Sequence, residues 1–208
     1  MPRYYPVNLN LENARCLVVG GGKVAERKVN TLLSYGAVVT LISPEITSDL
    51  NEKAQKGEIT YKKRSYKPGD CQGMRAVIVA TDSDRINREA AEEAMAANCL
   101  VNVVDQPHIS NFIVPATIRQ GDLQISISTN GKSPALARRI RERLEKEFGP
   151  EYSEFLKLID KVRKKALVDI PETEKRKELF YDLVDSDLLQ LIREGKDEEV
   201  KKRLEGLY

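Results

Sequence analysis

Val18-Val19-Gly20-Gly21-Gly22-Lys23-Val24-Ala25 joins a short apolar run, residues 15–20, to a segment of helical spacing that Gly36 closes. The run is apolar without alternation, as in a parallel strand buried on both faces. The junction is a G-x-G-x-x-A pattern set between strand and helix. Gly20 permits the tight turn, Gly22 lets backbone approach a pyrophosphate, and Ala25 keeps the helix close to the strand. The helix N-terminus then faces the anion. Glycine spacing alone is weak evidence, and the strand–turn–helix context is what makes it specific.

The same alternation continues down the chain. Strands are predicted at 38–42, near 59–63, at 76–80 and at 100–104, with helices at about 47–56 and 84–98 between them. Strands alternating with helices give crossover units and a parallel sheet, hence a Rossmann-like α/β domain. Two strands, 112–118 and 123–128, then flank Gln120-Gly121-Asp122 as a hairpin. Ser133-Pro134 supplies an N-cap and a first-turn proline for a helix running to about Phe148. Four short amphipathic helices follow, at 152–168, 172–184, 187–194 and 198–207. The predicted division is 1–112 for the nucleotide domain, 113–148 for a dimerisation segment and 149–208 for a small helical domain.

Composition narrows the function classes. The 208 residues carry 34 Lys and Arg against 32 Asp and Glu, a net charge of +2, which argues against a dedicated nucleic-acid binder. No apolar run approaches the roughly 18 residues of a membrane span, and the N-terminus lacks a signal peptide's apolar segment, so a cytoplasmic location is expected. Cys16, Cys71 and Cys99 are scattered and odd in number, and His108 is the lone histidine. That set is neither a disulfide framework nor a preassembled metal site.

The second half of the dinucleotide fingerprint is altered. An acid normally ends the second strand and bonds the ribose. Here Ser43-Pro44 stands there, with Glu45 just beyond. Serine still hydrogen-bonds a ribose and does not repel a 2′-phosphate, so NAD and NADP both remain open. The missing acid also weighs against a methyltransferase. Asp105 ends the strand Asn102-Val103-Val104-Asp105, at the sheet edge where α/β ligands bind. Near Val103, Val104 and Phe112 it is a candidate base with a raised pKa, or equally a turn residue before Gln106-Pro107. Asp82, after Ala80-Thr81, reads as a loop or cap group beside the cofactor. His108 is either a solvent-facing loop residue or a proton-transfer group. Six basic residues, Lys132 among them, lie on or beside the helix from Ser133, offset by Glu142 and Glu145. That helix reads as a solvated or dimer-facing face whose N-terminal turn, Thr129-Asn130-Gly131-Lys132-Ser133, binds an anionic ligand.

These motifs resemble a known family. Tyr5-Pro6-Val7-Asn8-Leu9 with Cys16 to Lys28, Ala80-Thr81-Asp82, Asn102 to Asp105, Phe112-Ile113-Val114-Pro115-Ala116 and Ser128 to Arg138 occur in the order of the siroheme synthase family's dehydrogenase module. This is the precorrin-2 dehydrogenase / sirohydrochlorin ferrochelatase family. The likeness is close over about 3–148 and loose in the helical tail. It implies NAD-dependent conversion of precorrin-2 to sirohydrochlorin in a free-standing homodimer without the methyltransferase domain, and in some members insertion of Fe2+, with Co2+ an alternative. It places the catalytic aspartate on Asp105 and dinucleotide contacts on Gly22, Lys23, Ser43 and Pro44. Gly20, Val24, Thr81 and Asp82 complete the candidate cofactor set. Asn102, His108, Ser128 and Lys132 are the candidate substrate contacts, and no resident metal ligand is expected. Two rivals stand beside this reading. A non-catalytic NAD-sensing module would tolerate loss of Asp105, and a chelatase that ignores its nucleotide fold would work without NAD.

Overall fold

Apolar strands with no polar face must be covered on both sides, and this requirement sets the architecture. The computed structural model describes residues 3–205. Five parallel strands, β1 (Arg15–Val19), β2 (Val38–Ile42), β3 (Thr60–Lys62), β4 (Ala76–Val79) and β5 (Leu100–Val103), lie in the order β3-β2-β1-β4-β5. Successive residues of β1 face opposite ways. Cys16 and Val18 pack with Ala25, Val29 and Leu32 of α1 (Lys23–Ser34) and Leu50 of α2 (Ser48–Gln55). Leu17 and Val19 pack with Ala90, Ala91 and Ala94 of α3 (Asp84–Ala96). Leu17 is fully buried, and Leu17→Ala would cost about 3 kcal/mol in transfer and cavity terms.

Local signals set the element ends. Gly36, at φ +74°, ends α1 as the sequence predicted. Its N–H donates to Leu33 O, and Ala37 N–H reaches Leu32 O, the paired bonds of a Schellman cap. Thr47 and Ser83 cap α2 and α3 through their hydroxyls.

The free edge of β5 is closed by side chains that sequence periodicity does not reveal. Asn111 accepts from Val101 N at 2.7 Å, and its own N–H donates to Val101 O at 3.0 Å. Its amide nitrogen also donates to Cys99 O, while Ser110 Oγ accepts from Val103 N. Two polar side chains thus occupy the backbone groups another strand would take, a device that protects an edge. A 3-10 turn at Pro107–Ile109 precedes them. This edge segment holds Ser110 and Asn111, and Pro115 lacks an N–H. The next strand, β6, therefore begins at Ala116, not at Phe112 as predicted.

The chain divides into two compact units after Val114. In the second, β6 (Ala116–Gln120) and β7 (Leu123–Ile127) form an antiparallel hairpin. Its two-residue turn puts Gly121 at φ +58°, where a II′ turn calls for glycine. Ser133 caps α4 (Pro134–Glu147) as predicted, accepting from Leu136 N at 3.2 Å. The helices α5 (Glu151–Asp169), α6 (Thr173–Asp185), α7 (Leu188–Arg193) and α8 (Asp197–Glu205) share one apolar core around Phe155, Val162, Leu183 and Leu188. The last residues of the helix predicted over 198–207 lie outside the described ones. Hairpin and α4 belong to the same compact unit as these helices. No helix among the described residues is long and apolar enough to cross a membrane.

The loop after β3 is held by an ion pair. Arg64 grips both oxygens of Asp70 at 2.7 and 2.6 Å, and Lys67 N–H donates to the same carboxylate. The guanidinium holds the Asp70 carboxyl below its usual range, against the pull of burial. Because the folded form has the lower pKa, the pair's stabilisation is present above about pH 4 and is lost as pH falls through the folded value. Asp70→Asn is therefore expected to cost about 2 kcal/mol at pH 7. Chemical denaturation of both proteins from pH 7 to pH 3 checks this. The gap between them should close towards the acid end, and a gap that stays constant would show that the carboxylate's charge contributes nothing.

Candidate functional site

Strand order reverses between β1 and β4, where crossover helices leave on opposite faces and the sheet opens a crevice. An open cleft of 440 Å3 lies there. Its walls are the glycine loop, the Ser43-Pro44-Glu45 turn after β2, Ser65 and Tyr66 after β3, and Ala80-Thr81-Asp82 after β4, with Ile86 behind. All of Gly20, Gly22, Lys23, Val24, Ser43, Pro44, Thr81 and Asp82 line this one cleft.

The three glycines have different reasons to be there. Gly20 sits at φ +119°, and a Cβ on it would lie 2.1 Å from Ala80 O. A Cβ on Gly21 would lie 1.9 Å from Glu45 O and 2.6 Å from Ser43 Oγ. Gly21 is the residue the G-x-G-x-x-A reading passes over, yet the fold itself needs it. Gly22 has no protein atom within 4 Å of where its Cβ would stand. Only a ligand would crowd that position. Gly22 is also the N-cap of α1 and offers no side chain, so the first-turn amides are left for an anion.

Hydrogen bonds hold the loop in this shape. Gly20 N–H donates to Ile42 O and Thr47 N–H to Gly21 O. Ser43, only 7% exposed, donates its hydroxyl to Glu45 O at 2.6 Å. Its hydrogen is committed within the turn, and a lone pair is what it retains for a ribose. Thr47 Oγ1 donates to Glu26, and Lys23 pairs with the same carboxylate at 3.1 Å. These two contacts, the threonine's first, hold the Glu26 carboxyl below its usual range. A fixed negative charge in the first turn of α1 is thereby partly masked.

Tyr66 closes the cleft on the β3 side. Its phenol donates to Glu93 of α3, which also accepts from Gly69 N and Cys71 N at about 3 Å. Burial, then its Cys71 and Glu93 neighbours, push the phenol's pKa far up, so it stays a neutral donor. Ser65 and Tyr66, in the loop after a short strand, and Ile86 of α3 were not legible as site residues, because nothing in their local sequence marks them as walls. The cysteines stay out of the site. All three are buried free thiols, and burial raises Cys71 to about 11.

Asp105 stands apart from the cleft lining. It is exposed and occupies the left-handed region at φ +60°. Gln106 N–H donates to Val103 O, which makes Asp105 the third residue of a tight turn, a position that favours glycine or asparagine. The apolar enclosure expected around it is not formed here, since Val103 turns into the core beneath. Its electrostatic neighbour is Lys28 of α1, a half-buried ammonium. Burial, reinforced by Arg27, pushes the Lys28 pKa down, and Asp105 pulls it back up. Asn102 donates its amide to Phe112 O at 3.1 Å, so part of its side chain braces the segment leaving β5. His108 is exposed on the 3-10 turn. Ser128 and Lys132 belong to the second unit, where both are exposed and Ser128 Oγ accepts from Asn130 N. No group of three or more His, Cys, Asp or Glu among the described residues is placed to hold a metal.

Known proteins share these features. Residues 7–116 match the family model described as "Putative NAD(P)-binding", and residues 120–147 match "Sirohaem biosynthesis protein central". A siroheme synthase from Thioalkalivibrio sulfidiphilus is 35% identical over 202 residues, which cover 97% of this chain and 41% of that protein. One from Chromobacterium violaceum is 33% identical over 202 residues, covering 97% of this chain and 43% of that protein. The chain thus spans less than half the length of these relatives. The solved structure of SirC, a precorrin-2 dehydrogenase, superposes with a TM-score of 0.79 at 26% identity, covering 96% of this chain and 100% of SirC. A nicotinamide-dinucleotide fold and a central siroheme-biosynthesis segment thus follow one another in a single chain, which belongs to the siroheme synthase / precorrin-2 dehydrogenase family.

Proposed function

We propose that this protein oxidises precorrin-2 to sirohydrochlorin with NAD. The observation that carries the reading is the single cleft at the carboxyl ends of β1, β2 and β4, which gathers every candidate dinucleotide contact. The first-turn amides of α1 and the bare backbone at Gly22 fit a pyrophosphate. Acids that bond the adenosine ribose stand at the end of the second strand. The adenosine half therefore belongs on the β2–β3 side, against Ser43, Pro44 and Tyr66. The nicotinamide half then lies towards β4 and β5, with Thr81 and Asp82. A nicotinamide held there supplies the hydride acceptor.

The choice of NAD over NADP rests on charge. Glu45 lines the cleft beside the Ser43-Pro44 turn and repels a 2′-phosphate. Arg64, the nearby guanidinium, is spent on Asp70 and on Ser65 O.

Oxidation removes a hydride and a proton from the substrate. Asp105 is the proposed acceptor for the proton, with Lys28 as its charge partner. Asn102, His108, Ser128 and Lys132 are the proposed contacts to the substrate, a tetrapyrrole whose carboxylates suit Lys132 and the basic face of α4. A second copy of the chain, packed along the β6–β7 hairpin, is proposed as the working state.

The test is anaerobic incubation of precorrin-2 with the protein and NAD, without added metal, followed by absorption. Sirohydrochlorin and NADH should form together above a no-enzyme control, and the same incubation with Fe2+ or Co2+ reads the chelatase branch. Absence of NADH in a folded, NAD-binding protein would sink the dehydrogenase reading. Asp105→Ala is expected to lower turnover by about 100-fold or more while NAD affinity stays near wild type. Turnover unchanged by that substitution would remove Asp105 from the chemistry.

The glycines give a second prediction. Gly22→Asp should fold and lose NAD binding by about 100-fold, because a side chain and a charge enter the pyrophosphate position. Gly21→Ala should instead lower the melting temperature, since its Cβ meets backbone. Circular dichroism with calorimetric NAD titration separates the two. Wild-type affinity in Gly22→Asp would move the cofactor elsewhere.

A further inference from the structure

Two polar residues are buried among the described ones, Ser43 and Asn87. Ser43 belongs to the cleft. Asn87 is 3% exposed, in α3 among the alanines that pack on the sheet, and does not line the cleft. Its amide nitrogen donates to Thr81 O at 3.1 Å, and its amide oxygen accepts from Thr81 Oγ1 at 2.7 Å. Thr81 Oγ1 also accepts from Ser83 N at 3.2 Å. One buried amide therefore grips both the carbonyl and the hydroxyl of a single cleft residue.

The grip decides which face Thr81 presents. With the hydroxyl turned into α3, the methyl is left on the side of the glycine loop. It lies 3.5 Å from where a Cβ on Gly20 would stand, and Ala80 O lies 2.1 Å from the same point. The wall between β1 and β4 is thus apolar at Thr81, and its distance from the loop is fixed from behind. A threonine free to rotate would also sample rotamers that put its hydroxyl there, and water with it.

We propose that Asn87 is a positioning residue for the dinucleotide. It locks Thr81 methyl-first, so that this wall takes the nicotinamide half by apolar contact while Asp82 is left as the polar group beside it. The proposal rests on the dinucleotide reading above. A brace that only stabilised the start of α3 would change melting without changing cofactor affinity in the folded protein.

The experiment titrates NADH by fluorescence against wild type, Asn87→Asp and Thr81→Ser, each below its melting temperature. Asn87→Asp keeps the shape and replaces the amide donor facing Thr81 O with an oxygen. It should raise the NADH Kd about tenfold, the effect of one lost hydrogen bond. KM for NAD should rise with it while kcat at saturating NAD stays within about threefold, the pattern of lost uniform binding. Thr81→Ser keeps the hydroxyl and the clamp but removes the methyl, and should raise the Kd about fivefold, the worth of one buried methyl. A folded Asn87→Asp with wild-type Kd overturns the proposal. Should that variant not fold, Thr81→Ser decides alone, and an unchanged Kd there overturns the methyl wall. A wild-type protein that binds neither NADH nor NADPH overturns the dinucleotide reading and this inference together.

Discussion

Backbone meets backbone at the carboxyl ends of β1, β2 and β4, and the site follows from that contact. Gly20 presses on the carbonyl of Ala80, and Gly21 on the carbonyl of Glu45, at separations no side chain survives. Because these two positions carry no Cβ, the turns after β2 and β4 close on the glycine loop from either side. Thr47 N–H to Gly21 O and Gly20 N–H to Ile42 O then fix the spacing. The cleft is what remains above this junction. Its shape is a property of the main chain, and the lining side chains only tune it.

That division explains which parts of the site were legible beforehand. Buried parallel strands announce themselves as unbroken apolar runs, so β1, β2, β4 and β5 were readable to within a residue or two. The glycine loop was readable because its spacing is tied to a local turn. Gly21 was not, since its reason for being glycine lies in Glu45, which only the folded chain brings near. Tyr66 and Asn87 were hidden likewise. Each reaches the cleft through a partner on α3 or by gripping a cleft residue from it, and a pairing of that kind leaves no periodic trace. Asn111 shows the same limit at β5, where an ordinary loop residue does the work of a neighbouring strand.

Helix α3 now carries two duties. Its alanines permit close packing on the sheet, and two of its polar residues, Asn87 and Glu93, hold cleft residues from behind. Asn87, near the N-terminal end, holds Thr81, and Glu93, almost two turns on, holds Tyr66 and the loop at Gly69 and Cys71. A rigid helix spanning both walls couples their separation. Ala90 and Ala91, buried between the two residues, let the helix lie close to the sheet, near enough for both clamps to close.

Asp105 obeys a different logic, and the contrast is informative. A left-handed conformation costs an aspartate of order 1 kcal/mol, and glycine or asparagine would fill the same turn more easily. The turn is nonetheless over-determined. Val104 N–H is bonded to Val79 O, Gln106 N–H to Val103 O, and Ser110 Oγ to Gln106 O. Neighbours on both sides thus hold the strained residue in place, and the carboxylate projects into solvent beyond the sheet, with Lys28 as its charged neighbour. The turn thus presents an exposed carboxylate with a half-buried lysine as its charged neighbour. On the proposed function, it is a group that a bound substrate would cover. On that proposal, the enclosure around the carboxylate would come from the substrate and not from the protein's own core.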